Sequence, residues 1–476
     1  MNRATVLVRF APMRAERISV LRLAARLILV ASIFLLLANP PGRAQAQSPT
    51  QPPDQKTITL KELQQMALQN NPTLAQASAN IHAAEGRKQQ SGLYPNPTVG
   101  YQGEEMRGGS FRGGEQGFFV QQNIVTAGKL GLNRNIFEQE KRQAETEAEE
   151  QKLRVVTNVK MSYIQALSAQ QTLELRHNLS KLAQDAVETS RQLANVGQAD
   201  SPDVLEAEVE GEQAELAVTM AEQNQQRVWK ELAAVVGNPH LHLMRLEGKL
   251  EDMPAVDADG LVEKIVNESP AVKIAELGVK KAEAGLARAK REPIPDLQLR
   301  AGMQQNRELL DTTGRPTGLQ GFADVGVQIP IFNRNQGSVA SSKADLERAQ
   351  QEVERVKLAL RERAASVVQS YAYSQAAAAR YKNEMIPRAQ KAYEMYAKKY
   401  QQMAAAYPQV LIAQRTLIQL EVAYVNALES AATNSVALES YLLTDGLEAP
   451  SQPGEIDRPV REMNVPFQPS AAPRER

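Results

Sequence analysis

The sequence predicts a membrane α+β protein: an internally duplicated protomer with four β-strands and long coiled-coil helices. Three observations predict it. First, blocks of sequence recur: Asn71-Pro72, Ala84-Glu85 and Pro95/Pro97 return as Ser269-Pro270, Ala282-Glu283 and Pro293/Pro295, a shift of 198. Gln122, Pro202, Val204-Leu205, Ala207 and Glu215 return as Gln328, Pro408, Val410-Leu411, Ala413 and Glu421, a shift of 206. The eight added residues fall in a Gly-rich, polar stretch where a loop lengthens at little cost. Second, each copy changes from helical period to strict alternation after a Pro-x-Pro, which cannot continue a helix. Third, each copy then runs through some 65 residues of helix-forming sequence, a reach of about 100 Å at 1.5 Å per residue. Compact domains of this size do not need helices that long.

Residues 1–46 read as an export signal. Arg3, Arg9, Arg14, Arg17, Arg22 and Arg26 precede the uncharged run Leu27 to Ala38, and Ala44-Gln45-Ala46 supplies small residues for cleavage. The 12-residue run is too short for a membrane-spanning helix, which needs about 20 residues. The segment carries seven of the 55 basic residues and one of the 55 acidic ones, leaving 48 against 54, a net charge of −6. That balance argues against nucleic acid as a partner. With no cysteine, disulfides, thiolate metal sites and a lipidated N-terminal cysteine are excluded.

Residues 47–56 are Pro- and Gln-rich and read as a flexible lead-in, and 447–476 as a disordered Pro-rich tail. The first copy spans 57–238 and the second 259–446, with 239–258 as a linker. Copy one opens with helix from Leu60 to Ser91, broken at Asn71-Pro72; copy two with helix from Leu261 to Arg291, broken at Ser269-Pro270. A hairpin follows in each. Leu297, Leu299, Ala301 and Met303 share one face, as do Val325, Val327 and Ile329; Val99, Tyr101, Phe118 and Val120 repeat the plan around the loop Gly108 to Gly114. Strands of about eight to ten residues suit a membrane barrel, though alternation alone also fits a soluble hairpin. Four strands cannot close a barrel without partner subunits.

The long helices are expected from Gly131 to Val196 and from Gly337 to Met403. Val155, Val159, Ser162, Ala166, Ala169 and Leu173 line one face of the first; Leu346, Ala349, Val353, Val356, Leu360, Ala364, Val367 and Tyr371 form the coiled-coil stripe of the second, where Pro387 marks a kink. After turns at Gly197 to Pro202 and Met403 to Pro408, helices return through Asp203 to Val236 and Gln409 to Leu443. Ser201 is expected as N-cap with Pro202 at the first helical position.

Three stretches carry a resemblance: Gly92-Leu-Tyr-Pro-Asn-Pro97, the strand-to-helix passage Gln328-Ile-Pro-Ile-Phe-Asn-Arg-Asn-Gln-Gly337, and the turn Val196-Gly-Gln-Ala-Asp-Ser-Pro-Asp-Val-Leu205. With the export signal, hairpins, long helices and duplication, they resemble the TolC-type outer-membrane efflux proteins, and within them the heavy-metal (cobalt–zinc–cadmium, CzcC-like) branch. The resemblance implies a homotrimer whose twelve strands form an outer-membrane barrel continued by a periplasmic α-barrel, with most of the mass in the periplasm. It also implies a periplasmic adaptor and, through it, an inner-membrane pump. The chain would be the passive exit duct of a tripartite system of the resistance-nodulation-division type, for divalent heavy-metal cations. Drugs, solvents or a secreted polypeptide are the alternative cargo, and a periplasmic coiled-coil adaptor the alternative class. The second turn departs from the pattern, with Met403 in place of the usual Gly and Gln409 in place of Asp.

The turn residues Val196, Gly197, Ala199 and Ser201, with Ala404, Ala405 and Ala406, are the expected adaptor contacts, because small side chains permit close packing. Asp200, Asp203 and Glu206 have two readings: acids that favour a helix N-terminus, or a charged ring at the pore entrance. His240 and His242 invite a metal reading but lack a carboxylate cluster; His82 and His177 read as structural, and Phe111 and Arg112 as a solvated loop tip. No phosphate loop, nucleophile–base set or metal motif appears, so neither an enzyme nor a cofactor is expected.

Overall fold

The computed structural model describes residues 57–105, 114–197, 200–252, 256–309, 314–402, 404 and 407–450. The signal and lead-in (1–56), the tail beyond 450, most of the first hairpin loop with Phe111 and Arg112, and turn residues Ala199, Ala405 and Ala406 lie outside the described residues.

A two-residue strand β1 (Thr57–Ile58) leads into α1 (Leu60–Asn70). Thr59 and Glu62 form a capping box, the Thr59 hydroxyl accepting from the Glu62 amide at 3.3 Å and the Glu62 carboxylate accepting from the Thr59 amide at 2.8 Å. Asn71 ends α1 and starts α2 (Pro72–Ser91): its side chain accepts from the Thr73 amide while Pro72 occupies the first turn. Its Nδ2 also donates to the Val235 carbonyl at 3.0 Å, tying this break to the end of a distant helix. Ser269 plays the same part between α5 (Ala258–Glu268) and α6 (Pro270–Arg291), so both predicted breaks are real helix boundaries.

The strands are β2 (Thr98–Glu104), β3 (Glu115–Ile124), β5 (Leu297–Leu309) and β6 (Pro316–Val327). They form one antiparallel sheet in the order β2-β3-β5-β6, joined across its middle by the β3–β5 pairing. The short β4 (Arg245–Leu246) pairs in parallel with β1, bringing the segment after the first return helix back to the start of the described chain.

Helix α3 (Lys129–Asn195) runs unbroken for 67 residues, about 100 Å. It returns through α4 (Ser201–Val235). The second long helix differs from its expected continuous form. α7 (Gln336–Arg380) passes into a π-helical turn, Tyr381–Met385, before α8 (Ile386–Gln401), and α9 (Tyr407–Glu439) returns. The cause is Pro387, which has no N–H for the carbonyl four residues back and whose ring crowds it. The wider turn instead takes a bond from the Ile386 amide to the Tyr381 carbonyl, so helical hydrogen bonding continues past the proline.

The core lies among the helices. Leu63, Val155, Val159, Ile164, Leu167, Leu232 and Val236 are almost completely buried in one cluster with Trp229, whose Nε1 donates to the Leu241 carbonyl at 2.9 Å. The predicted face of α3 is correct: Val155, Val159, Ser162, Ala166 and Ala169 are buried, with Leu173 half-buried. On α7 Leu360, Ala364 and Tyr371 are buried, and the rest of the stripe is half-buried. Glu140, itself buried, meets Arg87 at 2.5 Å and Lys281 at 3.3 Å, so one carboxylate ties α2, α3 and α6 together.

Candidate functional site

Alternation gives the sheet two faces of opposite character. Register pairs Val99 with Val120, Tyr101 with Phe118, Phe118 with Met303 and Leu299 with Val325, so the predicted apolar residues within the strands lie on one face, while Ile329 falls two residues past the end of β6. Tyr101 and Phe118 meet edge to face, with ring centroids 5.5 Å apart. This apolar face is the open one: Val99 is 71% exposed, Phe118 68%, Leu319 68% and Val325 70%. The opposite face carries Gln102, Glu104, Glu115, Gln121, Gln298, Arg300, Gln304, Asn306, Gln320 and Asp324, and most of these are half-buried against one another. Gln102 donates to Gln304 at 2.9 Å and Asn306 to Glu115 at 2.6 Å, while Arg300 donates to Gln102 and Gln304 to Glu115.

A sheet that exposes valine and phenylalanine while its amides bond among themselves is inverted relative to a water-soluble one. The arrangement suits hydrocarbon on one side and water on the other. No helix among the described residues is long and apolar enough to cross a membrane.

At the strand-to-helix passage, Asn335 takes a left-handed conformation at φ 59° and donates to the Ala289 carbonyl at 2.9 Å, which starts α7 against the end of α6. The corresponding passage in the first half uses Thr126 and Lys129, which bond Pro295 and Asp296; Lys129 is buried and meets Asp296 at 3.0 Å. The first passage thus ties the start of α3 to the residue before β5, and the second ties the starts and ends of neighbouring helices below the sheet.

The far ends of the helices carry the predicted turn residues. Val196 caps α3, exposed, and Gly197 has φ 70°, a conformation that favours glycine. The N-cap of α4 is Asp200 rather than Ser201, and its side chain makes no cap hydrogen bond. Asp200 sits in extended conformation, so the helix begins at Ser201 and Pro202 falls within its first turn. Asp200 and Glu206 are exposed and Asp203 half-exposed, all within the opening turns of α4. The two hairpins meet just behind these turns: Ala207 packs with Tyr400, Val410 and Leu411, and Arg415 donates to the buried Glu210 carboxylate at 2.6 Å and 3.0 Å. Ala404 is exposed, its amide bonded to the Lys399 carbonyl at 2.8 Å.

The family profile described as "Outer membrane efflux protein" matches residues 63–238 and 261–442, most of the chain and in two separate stretches. The chain belongs to the outer membrane efflux protein family. The cobalt-zinc-cadmium resistance protein CzcC of Cupriavidus metallidurans is 26% identical over 373 residues, covering 78% of this chain and 86% of the relative. Among solved structures, the outer membrane protein VceC from Vibrio cholerae aligns with TM-score 0.66 at 20% identity, over 82% of this chain and 97% of that one. CusC aligns with TM-score 0.66 at 18% identity, over 85% and 98%. The TolC-type resemblance is therefore correct, as is outer-membrane location with a large periplasmic portion, and the efflux protein is a channel rather than an enzyme.

In the efflux protein His240 and His242 are exposed on the stretch between α4 and β4, and no group of three or more His, Asp or Glu side chains suited to a metal occurs among the described residues. On α9, burial pushes the Glu421 and Glu429 carboxyls up, and for Glu429 the Ser168 hydroxyl and Arg227 partly offset it. The polar face of the sheet was missed by sequence reasoning. Its signal was the other parity of the same strands, where Gln, Glu, Arg and Gly alternate with the apolar residues.

Proposed function

We propose that three copies of the efflux protein close a twelve-stranded barrel in the outer membrane, the passive exit duct of a tripartite efflux system. The observation that carries the reading is the inverted sheet with both its edges open. Among the described residues β2 and β6 each present a row of backbone groups without strand partners, while membranes tolerate only closed sheets. β3, β5 and β6, at 10, 13 and 12 residues, are long enough to span as tilted strands. The duplication makes each chain supply two hairpins, so three chains would offer six similar turns to a periplasmic adaptor and, through it, to an inner-membrane pump. Val196, Gly197, Ala199, Ser201, Ala404, Ala405 and Ala406 would make those contacts. Asp200, Asp203 and Glu206 would form the charged ring at the entrance. Divalent heavy-metal cations are the proposed cargo, supported by the named resistance of the CzcC relative and by the acidic first turn.

Purified in detergent, the protein is expected to have the mass of three chains and to give steady cation-preferring conductance in planar bilayers. Replacing Asp200 and Asp203 by Asn and Glu206 by Gln should weaken that preference. A detergent-free soluble monomer contradicts the channel, and unchanged preference removes the acids from the entrance. Loss of the chain should lower cellular tolerance of cobalt, zinc or cadmium; loss of drug or solvent tolerance alone contradicts the cargo.

A further inference from the structure

One row of the polar face is built differently from its neighbours. Gly100, Phe119, Gly302 and Phe322 stand side by side across the four strands, alternating glycine and phenylalanine. The rings lie down over the glycines. A methyl group at Gly100 would fall 2.7 Å from Cε1 of Phe119, and one at Gly302 would fall 2.6 Å from Cζ of Phe322, with the Phe118 backbone carbonyl closer still. Each phenyl therefore occupies the space that a neighbouring side chain would fill, and lies along the wall rather than standing out from it. Arg300 rests on this surface, its guanidinium carbon 4.3 Å from the Phe119 centroid and 5.6 Å from that of Phe322. Its Nη2 donates to Gln102, itself fixed to Gln304, and Asp324 is its register partner on β6. Cation–π contact and the bond to Gln102 hold the side chain in one place.

The register-paired positions of this face carry three carboxylates, Glu104, Glu115 and Asp324, and one cation, Arg300, with Arg307 and Glu308 set apart in the bulge of β5. We propose that Arg300 is a selectivity-setting residue of the lumen, a positive charge pinned to the wall at one level by the Gly–Phe row, which also keeps that level wide. The inference rests on the reading that the polar face lines the pore. The acids would favour hydrated cations along the wall, and Arg300 would temper that preference at its own level. Because fixed charges in a wide aqueous pore act within roughly 10 Å at 0.1 M salt, the effect should grow as salt is lowered.

The test is the reversal potential of the purified full-length channel in planar bilayers under a potassium chloride gradient at low salt. Arg300→Gln, which keeps a partner for Gln102, should raise the cation-to-anion permeability ratio about twofold, an expectation for removing one wall charge per chain. Arg300→Lys should keep a ratio near that of the unaltered protein, and Asp324→Asn should lower it. Gly100→Ala, whose added methyl has the Phe119 ring as its nearest neighbour, should reduce conductance, and the double change Gly100→Ala/Phe119→Ala should restore it. An unchanged ratio in Arg300→Gln, or an equal rise in Arg300→Lys, overturns the proposal. If the unaltered protein forms no channel, the pore reading fails instead, a result separate from any of these.

Discussion

The helical core and the sheet of this protein obey opposite burial rules. Along α3 and α4 Ile164, Leu167 and Leu232 are almost fully buried in the core. In β2, β3 and β6 Val99, Phe118, Leu319 and Val325 are at least two-thirds exposed, while the polar residues between them bond to one another. One chain thus shows two solvents. The helical core buries what water rejects, and the sheet presents to its surroundings what hydrocarbon accepts. The two regimes are held together at their junction by Lys129 at the start of α3 on Asp296 just before β5.

Substitutions that treat the two regions alike should therefore have unlike outcomes. The largest effect is expected in the helical core, where Leu232→Ala should cost about 2–5 kcal/mol, read as a lowered denaturation midpoint. On the outer face of the sheet, shortening Val120 should cost little, whereas Val120→Arg should cost about 2–4 kcal/mol in a bilayer and much less in a water-soluble sheet. Refolding into lipid vesicles reads that difference, and a negligible cost for Val120→Arg would make the sheet an ordinary soluble one. The smallest effect concerns Glu429 on α9. Burial raises its folded carboxyl above the usual 4.5, so the folded state gives up its proton later than the unfolded one. Stability should then fall as pH rises from that value through the raised one, and stay lower above it. Glu429→Gln should raise the thermal midpoint slightly at neutral pH and lose the gain below 4.5; a gain that persists in acid would contradict the linkage.

Much of this was legible in the sequence, for physical reasons that differ by region. Asn71-Pro72 and Ser269-Pro270 announced helix boundaries because a proline after a capping side chain has few other uses. The apolar parity of the strands gave one face correctly because alternation leaves no freedom. Two details were local competitions that spacing cannot resolve: Asp200 rather than Ser201 caps α4, and a π-turn absorbs Pro387 without ending the helix. The row of Gly100, Phe119, Gly302 and Phe322 was invisible because it exists only across strands far apart in the chain. Register creates it.

The central claim is that the polar face lines water and the apolar face meets lipid, and the absence of cysteine makes it directly measurable. Single substitutions Tyr101→Cys, Gln102→Cys, Met303→Cys and Gln304→Cys, each in the protein reconstituted in vesicles, would be exposed to a membrane-impermeant thiol reagent. The account predicts labelling at 102 and 304, and protection at 101 and 303 until detergent is added. Labelling of all four without detergent, or of 101 and 303 alone, would contradict it.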